Sequence, residues 1–130
     1  MSAYRTATLD EIAAEQWPTW IPVRHYFGID AFGVNAYRVE DGGTAVPEHD
    51  ESASGHLELY YVASGAARFT VAGDEIDAPA GTFVYVDDPA ATRGAVATAD
   101  ATVVLAVGAP RGKAYEVLGW DTKYLEGGGE

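Results

Sequence analysis

The hydrophobic and polar residues of this chain alternate in short runs from about residue 22 to residue 109. Valine, tyrosine, phenylalanine and threonine dominate these runs, and glycine-containing turns such as DGG at 41–43 and AGDE at 72–75 separate them. Short β-branched and aromatic runs between turns indicate β-strands. The predicted strands lie near 22–26, 32–39, 44–49, 56–63, 66–72, 75–78, 83–87, 93–98 and 102–108.

One segment near the N-terminus has the pattern of a helix instead. Residues 9–17, LDEIAAEQW, carry acidic residues at their start and apolar residues at helical spacing, and Pro18 follows them. Acidic residues favour the first turn of a helix, and a proline prevents its continuation. A short helix is therefore predicted over about 9–17.

Many short strands at regular spacing indicate an antiparallel sandwich or a small barrel. A chain of 130 residues that is 48 % hydrophobic can bury the core of one domain. We therefore expect a single all-β domain over residues 1–130. Its parts are the N-terminal helix, a core over about 32–108 and a C-terminal tail over 109–130.

The charge of the chain limits its partners. Twenty acidic residues against eight basic ones give a net charge of −12, which repels phosphate backbones and anionic membrane surfaces. We expect neither a nucleic acid nor a membrane as a partner of this acidic protein. No apolar run approaches the ~20 residues of a membrane helix, and the first residues lack a signal-peptide pattern, so the predicted location is cytoplasmic. The absence of cysteine excludes disulfides and thiolate chemistry.

Residues 49–65, HDESASGHLELYYVASG, join a polar start to an apolar and aromatic end. Two histidines and three acids open the stretch, namely His49, Asp50, Glu51, His56 and Glu58. Strand residues of the same parity share a face, so Glu58 points the same way as His56 and Tyr60. A buried carboxylate is costly unless it is paired. The stretch predicts a functional site, with simple hydrogen bonding between strands as the alternative.

The spacing of these residues resembles the first sequence motif of the cupins. That motif runs glycine, five residues, His-x-His, three or four residues, glutamate, six residues, glycine. The matching residues here are Gly43, His49, Glu51, Glu58 and Gly65. Glu51 stands in the place of the second histidine, and the longer loop before Glu58 contains His56. The resemblance, to a single-domain cupin of the RmlC-like superfamily, covers about 32–108 and implies an antiparallel cupin-type β-barrel, or jelly roll.

The second cupin motif is degenerate in this chain. Gly81 begins it, but the histidine position falls on Thr92, or on Arg93 after a slip of one residue, and no histidine follows His56. A guanidinium in that place would enter the barrel lumen where a metal ligand is expected, repel a divalent ion and attract a carboxylate or phosphate. Its nearest partner would be Glu58.

The resemblance leaves two functions open, and whether the protein is an enzyme stays undecided. The favoured function is binding of a small organic molecule, with a carboxylate-bearing compound as one candidate, in a lumen lined by Glu58, Tyr60, Phe83, Tyr85 and Arg93. The alternative is a divalent-metal enzyme of the dioxygenase, isomerase or decarboxylase type. Its iron, manganese, zinc or nickel ion would be held by His49, Glu51, His56 and Glu58. Similar proteins pair through their sheets or N-terminal strands, which makes a homodimer the default expectation.

Residues outside these motifs are interpreted as packing. Arg24 and His25, in the segment RHYFG, lie beside aromatic residues. Trp17, Trp20 and Trp120 are expected to cover the ends of the barrel or to form a dimer contact.

Overall fold

The computed structural model describes residues 3–14 and 17–118. The helices are α1 (Leu9–Ile12) and α2 (Val23–Phe27). The strands are β1 (Trp20–Ile21), β2 (Gly33–Val39), β3 (Thr44–His49), β4 (His56–Ser64), β5 (Ala66–Val71), β6 (Asp74–Pro79), β7 (Phe83–Val86), β8 (Arg93–Ala97) and β9 (Thr102–Pro110). Within these residues, neither helix has the length and apolar character needed to cross a membrane.

The strands form two antiparallel sheets that face each other. The first sheet has the order β1-β2-β9-β4-β7, and the second has the order β3-β8-β5-β6. Alternate residues of each strand enter the space between the sheets, where the rings of Tyr60 from the first sheet and Phe69 from the second lie 5.4 Å apart. Small residues and valines from both sheets fill the rest of this core. The prediction of an all-β, antiparallel jelly roll is confirmed.

The N-terminal segment covers part of the outer surface of the first sheet. Ile12, Ile21 and Ala36 form a second, smaller core there, and Phe27 and Leu105 pack against it. Because Ala36 and Leu105 belong to β2 and β9, this segment covers that half of the sheet. The rings of Trp17 and Trp20 meet edge to face within the same segment, whereas Trp120 lies outside the described residues.

Two predictions for the N-terminal region need correction. The predicted helix over 9–17 is shorter, because Thr8 and Glu11 form a capping box but Ala13 already has an extended ψ of 145°. The strand predicted at 22–26 is wrong, since Pro22 caps helix α2 and residues 23–26 belong to it. Val23 and Phe27 are four residues apart, so a helix places both against the smaller core, and Gly28 ends that helix in the left-handed conformation.

The remaining predicted strands match the structure to within about two residues. Strand β9 continues to Pro110, beyond the predicted end at 108. Residues 111–118 follow it without regular structure. The rest of the predicted tail, 119–130, lies outside the described residues.

The turn after β4 depends on Gly65. This glycine has a φ of +70°, and a Cβ there would lie 2.7 Å from Thr102 Cα and collide with the Thr102 side chain. Gly73, in the β5–β6 hairpin, also has a positive φ of +88°, but a Cβ added to it would meet no atom within 4 Å. A side chain at Gly73 would therefore meet backbone strain alone, whereas a side chain at Gly65 would meet both strain and a steric collision.

We expect Gly65→Ala to destabilise the fold by at least about 3 kcal/mol, because it adds a collision to the strain of a left-handed residue. Gly73→Ala is the matched control and should cost only about 1 kcal/mol. Urea unfolding followed by circular dichroism measures both changes. Equal losses for the two variants would contradict the steric role of Gly65.

Candidate functional site

A cavity of about 310 Å³ opens between the inner faces of β2, β3, β4 and β9. Its polar wall includes Asn35 and Tyr37 from β2, His49 from β3, and His56 and Glu58 from β4. Helix α2, the β3–β4 loop and the segment after β9 complete the lining. Its volume lies at the lower end of the range for small-molecule sites.

Glu58 lies on the inner face of β4, as its parity with His56 and Tyr60 predicts. The residue paired with it on β9 is Gly108, and a Cβ at Gly108 would lie 3.2 Å from Glu58 Cγ. The missing side chain on β9 therefore leaves room for the glutamate to turn inward.

Three donors converge on one oxygen of Glu58. Arg93 Nη1 donates to Glu58 Oε1 over 2.6 Å, and the Tyr60 hydroxyl donates to the same oxygen over 2.5 Å. His49 Nε2 lies 3.5 Å from it. Burial by itself would raise the pKa of Glu58, but the hydrogen bonds from His49, Tyr60 and Arg93, together with the charge of His49, hold that pKa below its usual range. Glu58 is therefore ionised inside the fold.

Arg93 is fully buried, with 0 % of its surface exposed. It starts β8 directly opposite His49, and besides Glu58 it donates to the carbonyls of Ala91 and Asp88 over 2.9 and 3.2 Å. The predicted entry of Arg93 into the interior and its pairing with Glu58 agree with this geometry. Its predicted contact with a ligand carboxylate needs correction, because Arg93 is not part of the cavity wall and its carboxylate partner is Glu58.

Tyr60, like Arg93, supports Glu58 from the core. Only 1 % of it is exposed, and its hydroxyl reaches Glu58 from within the core. Burial, reinforced by the Glu58 carboxylate, raises the pKa of Tyr60, so the hydroxyl keeps the proton that it donates. Tyr60 points inward as predicted, but it positions Glu58 and does not line the cavity.

His49 is surrounded by hydrogen-bond acceptors. Its Nδ1 lies 2.8 Å from the Pro47 carbonyl oxygen, and its Nε2 lies 2.9 Å from Glu51 Oε2. The Pro47 carbonyl can only accept, so Nδ1 carries a proton, and a second proton on Nε2 lets the ring donate to Glu51 as well. The hydrogen bond to Glu51 and the weaker one to Glu58 raise the pKa of His49 to about 10. Glu51 is held in turn by the Ser54 hydroxyl, over 2.7 Å.

His49, Glu51 and Glu58 meet one requirement of a metal site, since one ligand atom from each lies within 4.8 Å of the other two. Imidazole and carboxylate ligands suit iron, manganese, zinc or nickel. Two observations oppose a divalent ion here. Nε2 of His49, the nitrogen that would bind it, donates to Glu51, and the buried guanidinium of Arg93 occupies Glu58 Oε1. As they stand, His49, Glu51 and Glu58 suit a hydrogen bond from His49 Nε2 to a carboxylate and do not suit a divalent ion.

The prediction that His56 joins this group is wrong for the described residues. His56 is buried in the cavity wall, but its ring packs against Tyr115, with centroids 5.3 Å apart. It shares a strand face with Glu58, as parity predicts, but its ring turns toward Tyr115. Its nitrogens are therefore not among the ligand atoms that converge at His49, Glu51 and Glu58.

Phe83 and Tyr85 do not line the interior, contrary to prediction. They are 63 % and 56 % exposed, because Val84 and Val86 are the residues of β7 that face the core. All four residues are apolar or aromatic, so alternation alone does not identify the inner face of this strand.

Several residues of the cavity wall were not predicted from the sequence. Asn35 and Tyr37 share the inner face of β2, and the signal for them is the same-parity pair in the apolar strand GVNAYRV. Arg24, interpreted as packing, is buried in α2, lines the cavity and donates to the Ile29 carbonyl over 2.8 Å. Among the described residues, Asn35 Oδ1 is a buried acceptor with no hydrogen-bond partner.

Comparisons with known proteins identify the fold. No protein-family model and no curated protein sequence matches this chain. A cupin protein from Bacteroides fragilis superposes with a TM-score of 0.68 at 18 % identity, covering 87 % of this chain and 89 % of that one. A sugar phosphate isomerase of the cupin superfamily from Silicibacter pomeroyi has a TM-score of 0.57 at 22 % identity, covering 68 % and 57 %. A predicted oxalate decarboxylase from Thermotoga maritima has a TM-score of 0.53 at 20 % identity, covering 65 % and 71 %.

These superpositions show a shared fold. The B. fragilis protein is similar over nearly the whole length of both chains, and the three structures share the cupin architecture that the motif at residues 43–65 implies. The chain has the cupin fold.

Proposed function

We propose that this protein binds a small organic molecule in the 310 Å³ cavity, and that the molecule presents hydroxyl or amino groups to Asn35, Glu51 and Glu58. The observation that carries the proposal is the Asn35 side-chain oxygen, which is buried and accepts no hydrogen bond from the described residues. A buried acceptor without a partner costs about 1–3 kcal/mol. A ligand donor at this position would recover that energy.

The proposal revises the kind of ligand expected from sequence. A carboxylate-bearing molecule was expected because Arg93 could hold it, but Arg93 is covered by Glu58 and lies outside the cavity wall. The acceptors of Asn35, Glu51 and Glu58 instead favour a molecule rich in donors, such as a polyol or an amino alcohol.

The same group could also transfer protons. His49 holds a proton between two carboxylates, at 2.9 Å from Glu51 and 3.5 Å from Glu58. An acid next to a base at the wall of a cavity is the arrangement used in general acid–base catalysis. Two structures with this fold, the sugar phosphate isomerase and the predicted oxalate decarboxylase, are named as enzymes.

A divalent-metal enzyme is the second candidate function, and the close approach of His49, Glu51 and Glu58 favours it. His56 is no longer part of the ligand set of this candidate. The Arg93 guanidinium that is bound to Glu58 opposes the binding of a divalent ion. Metal binding by the purified wild-type protein would support this candidate over the first.

The expected homodimer has a candidate interface on the outer face of β4 and β7. Leu59 pairs with Tyr85 and Tyr61 pairs with Phe83 across these strands, and the rings of Tyr61 and Phe83 stack with centroids 4.4 Å apart. These four residues form the aromatic face. A second copy of this chain is the proposed occupant, because an uncharged face is where two chains of net charge −12 approach with least repulsion. Strand β7 is also an edge strand, which leaves backbone groups free to pair with the copy.

The ligand proposal predicts selective binding of donor-bearing molecules. In saturation-transfer NMR followed by calorimetry, polyols and amino alcohols should bind, and their methyl ethers should not. Asn35→Leu should weaken binding at least about tenfold, because it keeps the volume and removes the acceptor. Glu58→Gln should also weaken binding, and Glu75→Gln, on exposed β6, is the control for the loss of one charge. Binding that Asn35→Leu leaves unchanged would contradict the proposal.

The His49 hydrogen bonds predict a specific pH dependence. The pKa of His49 is about 10 in the fold against 6.5 ordinarily, so its contribution to stability is complete below about pH 6.5 and is lost as the pH rises through 10. The difference in unfolding free energy between wild type and His49→Gln should therefore shrink from pH 6 to pH 10. Nitrogen NMR should find both ring nitrogens of His49 protonated at pH 7.5. A neutral His49 ring at that pH would contradict this assignment of its protons.

The interface proposal predicts that Phe83→Ser combined with Tyr85→Ser converts the dimer to a monomer in light scattering coupled to size exclusion. Val96→Ser is the control, because Val96 is an exposed hydrophobic residue of the other sheet, 44 % exposed. A wild-type protein that is monomeric at tens of micromolar, or a control that dissociates equally, would refute the interface.

A further inference from the structure

We infer that Arg93 is the specificity-determining residue of this site and that its guanidinium keeps divalent cations out of the group formed by His49, Glu51 and Glu58. The inference rests on the proposed function, because it explains why a group with the spacing of a metal site would serve an organic ligand. It assigns Arg93 a positioning role, since the residue lies behind Glu58 and not in the cavity wall.

Arg93 binds the carboxylate that a metal ion would need as a ligand. Arg93 Nη1 lies 2.6 Å from Glu58 Oε1, and Tyr60 donates to the same oxygen. A cation bound to Oε1 would displace a charge-assisted hydrogen bond, and a cation bound to either oxygen of Glu58 would meet a permanent positive charge within a few ångströms. Because Arg93 has no exposed surface, little water is available to screen that repulsion.

Arg93 is also held in place and cannot easily move aside. Its Nε and Nη2 donate to the carbonyls of Ala91 and Asp88, so two further hydrogen bonds anchor the guanidinium. Moving it away from Glu58 would break these contacts and leave a buried charge unpaired, which is strongly unfavourable. The positive charge is therefore a fixed part of the site.

Arg93 also offsets the negative charge of the group. Its guanidinium forms an ion pair with Glu58, and residue 93 lies opposite His49 in the strand register, so a permanent positive charge is part of the group. That charge weakens the attraction of the carboxylates for a divalent ion. Replacing Arg93 with a neutral residue removes it.

The other features of the group suit a metal once Arg93 is removed. The three ligand atoms already lie within 4.8 Å of one another. The Pro47 carbonyl, 2.8 Å from His49 Nδ1, is the kind of partner that orients a metal-bound histidine through its second nitrogen. Residue 93 pairs with His49 across the neighbouring strands β3 and β8. A histidine side chain at position 93 would therefore start next to His49.

The test measures metal binding by variants of residue 93. Arg93→Gln removes the charge and keeps hydrogen-bonding capacity, Arg93→His adds a potential ligand, and Arg93→Lys keeps the charge. Arg68→Gln is the matched control, because Arg68 is an exposed residue on β5 that pairs with Asp77 at 3.0 Å. Untagged proteins are titrated calorimetrically with zinc chloride and with manganese chloride, and circular dichroism verifies the fold of each.

Arg93→Gln and Arg93→His should bind one ion per chain at least about 100-fold more tightly than wild type. Arg93→Lys and Arg68→Gln should behave like wild type. Adding His49→Gln to Arg93→His should abolish the gained binding, which would place the ion in this group. No gain in either variant, an equal gain in Arg68→Gln, or stoichiometric metal in the wild type would overturn the inference.

Loss of the buried charge could prevent a variant from folding. Refolding is then repeated with each metal present, because an ion that binds only the folded state stabilises it. Rescue by the ion supports the inference, and a failure of both variants to fold or to be rescued overturns it.

The inference and the proposed function fail in different ways. A wild-type protein that binds donor-rich organic probes while the Arg93 variants gain no ion would overturn the inference alone. Variants that gain an ion while wild type binds no organic probe would overturn the proposed function alone.

Discussion

The site depends on the ion pair between Arg93 and Glu58, whose guanidinium and carboxylate meet at 2.6 Å in the interior. A fully buried arginine is tolerated only with a hydrogen-bonded anion beside it, because taking its charge out of water is expensive. Glu58 lies on β4 of the first sheet and Arg93 on β8 of the second, so the pair links the two sheets across the core. Loss of either partner would leave an unpaired buried charge.

The carboxylate of this pair also sets the chemistry of the cavity wall, because Glu58 lines the cavity. His49 has the carboxylates of Glu51 and Glu58 within reach of Nε2, and its hydrogen bonds to them raise its own pKa and help to lower that of Glu58. His49 Nε2, the nitrogen that would bind a metal ion in this group, donates to Glu51 instead. The ionised Glu58 and the unsatisfied amide oxygen of Asn35 are the basis of the proposal that the cavity binds a donor-bearing organic molecule.

The predictions that succeeded and those that failed both have physical reasons. Alternation along apolar strands reveals sheets well, and the cost of a buried carboxylate correctly indicates that Glu58 has a partner inside. Alternation fails where both faces are apolar, as at Phe83, and where a five-residue segment packs equally well as a helix, as at 22–26. Asn35 was missed because its one signal, the shared parity with Tyr37, does not show that a cavity lies beside that face of the strand. His56 was on the correct face, but distances within a site are set by the tertiary fold.

The central claim is that Arg93, and not a metal ion, is the cationic partner of Glu58. A crystal structure of the wild-type protein grown with zinc chloride tests this most directly, with diffraction data collected at the zinc absorption edge. The claim predicts no anomalous peak among His49, Glu51 and Glu58, with the Arg93 guanidinium in contact with Glu58. A zinc ion bound to His49 and Glu58, with Arg93 displaced, would contradict it.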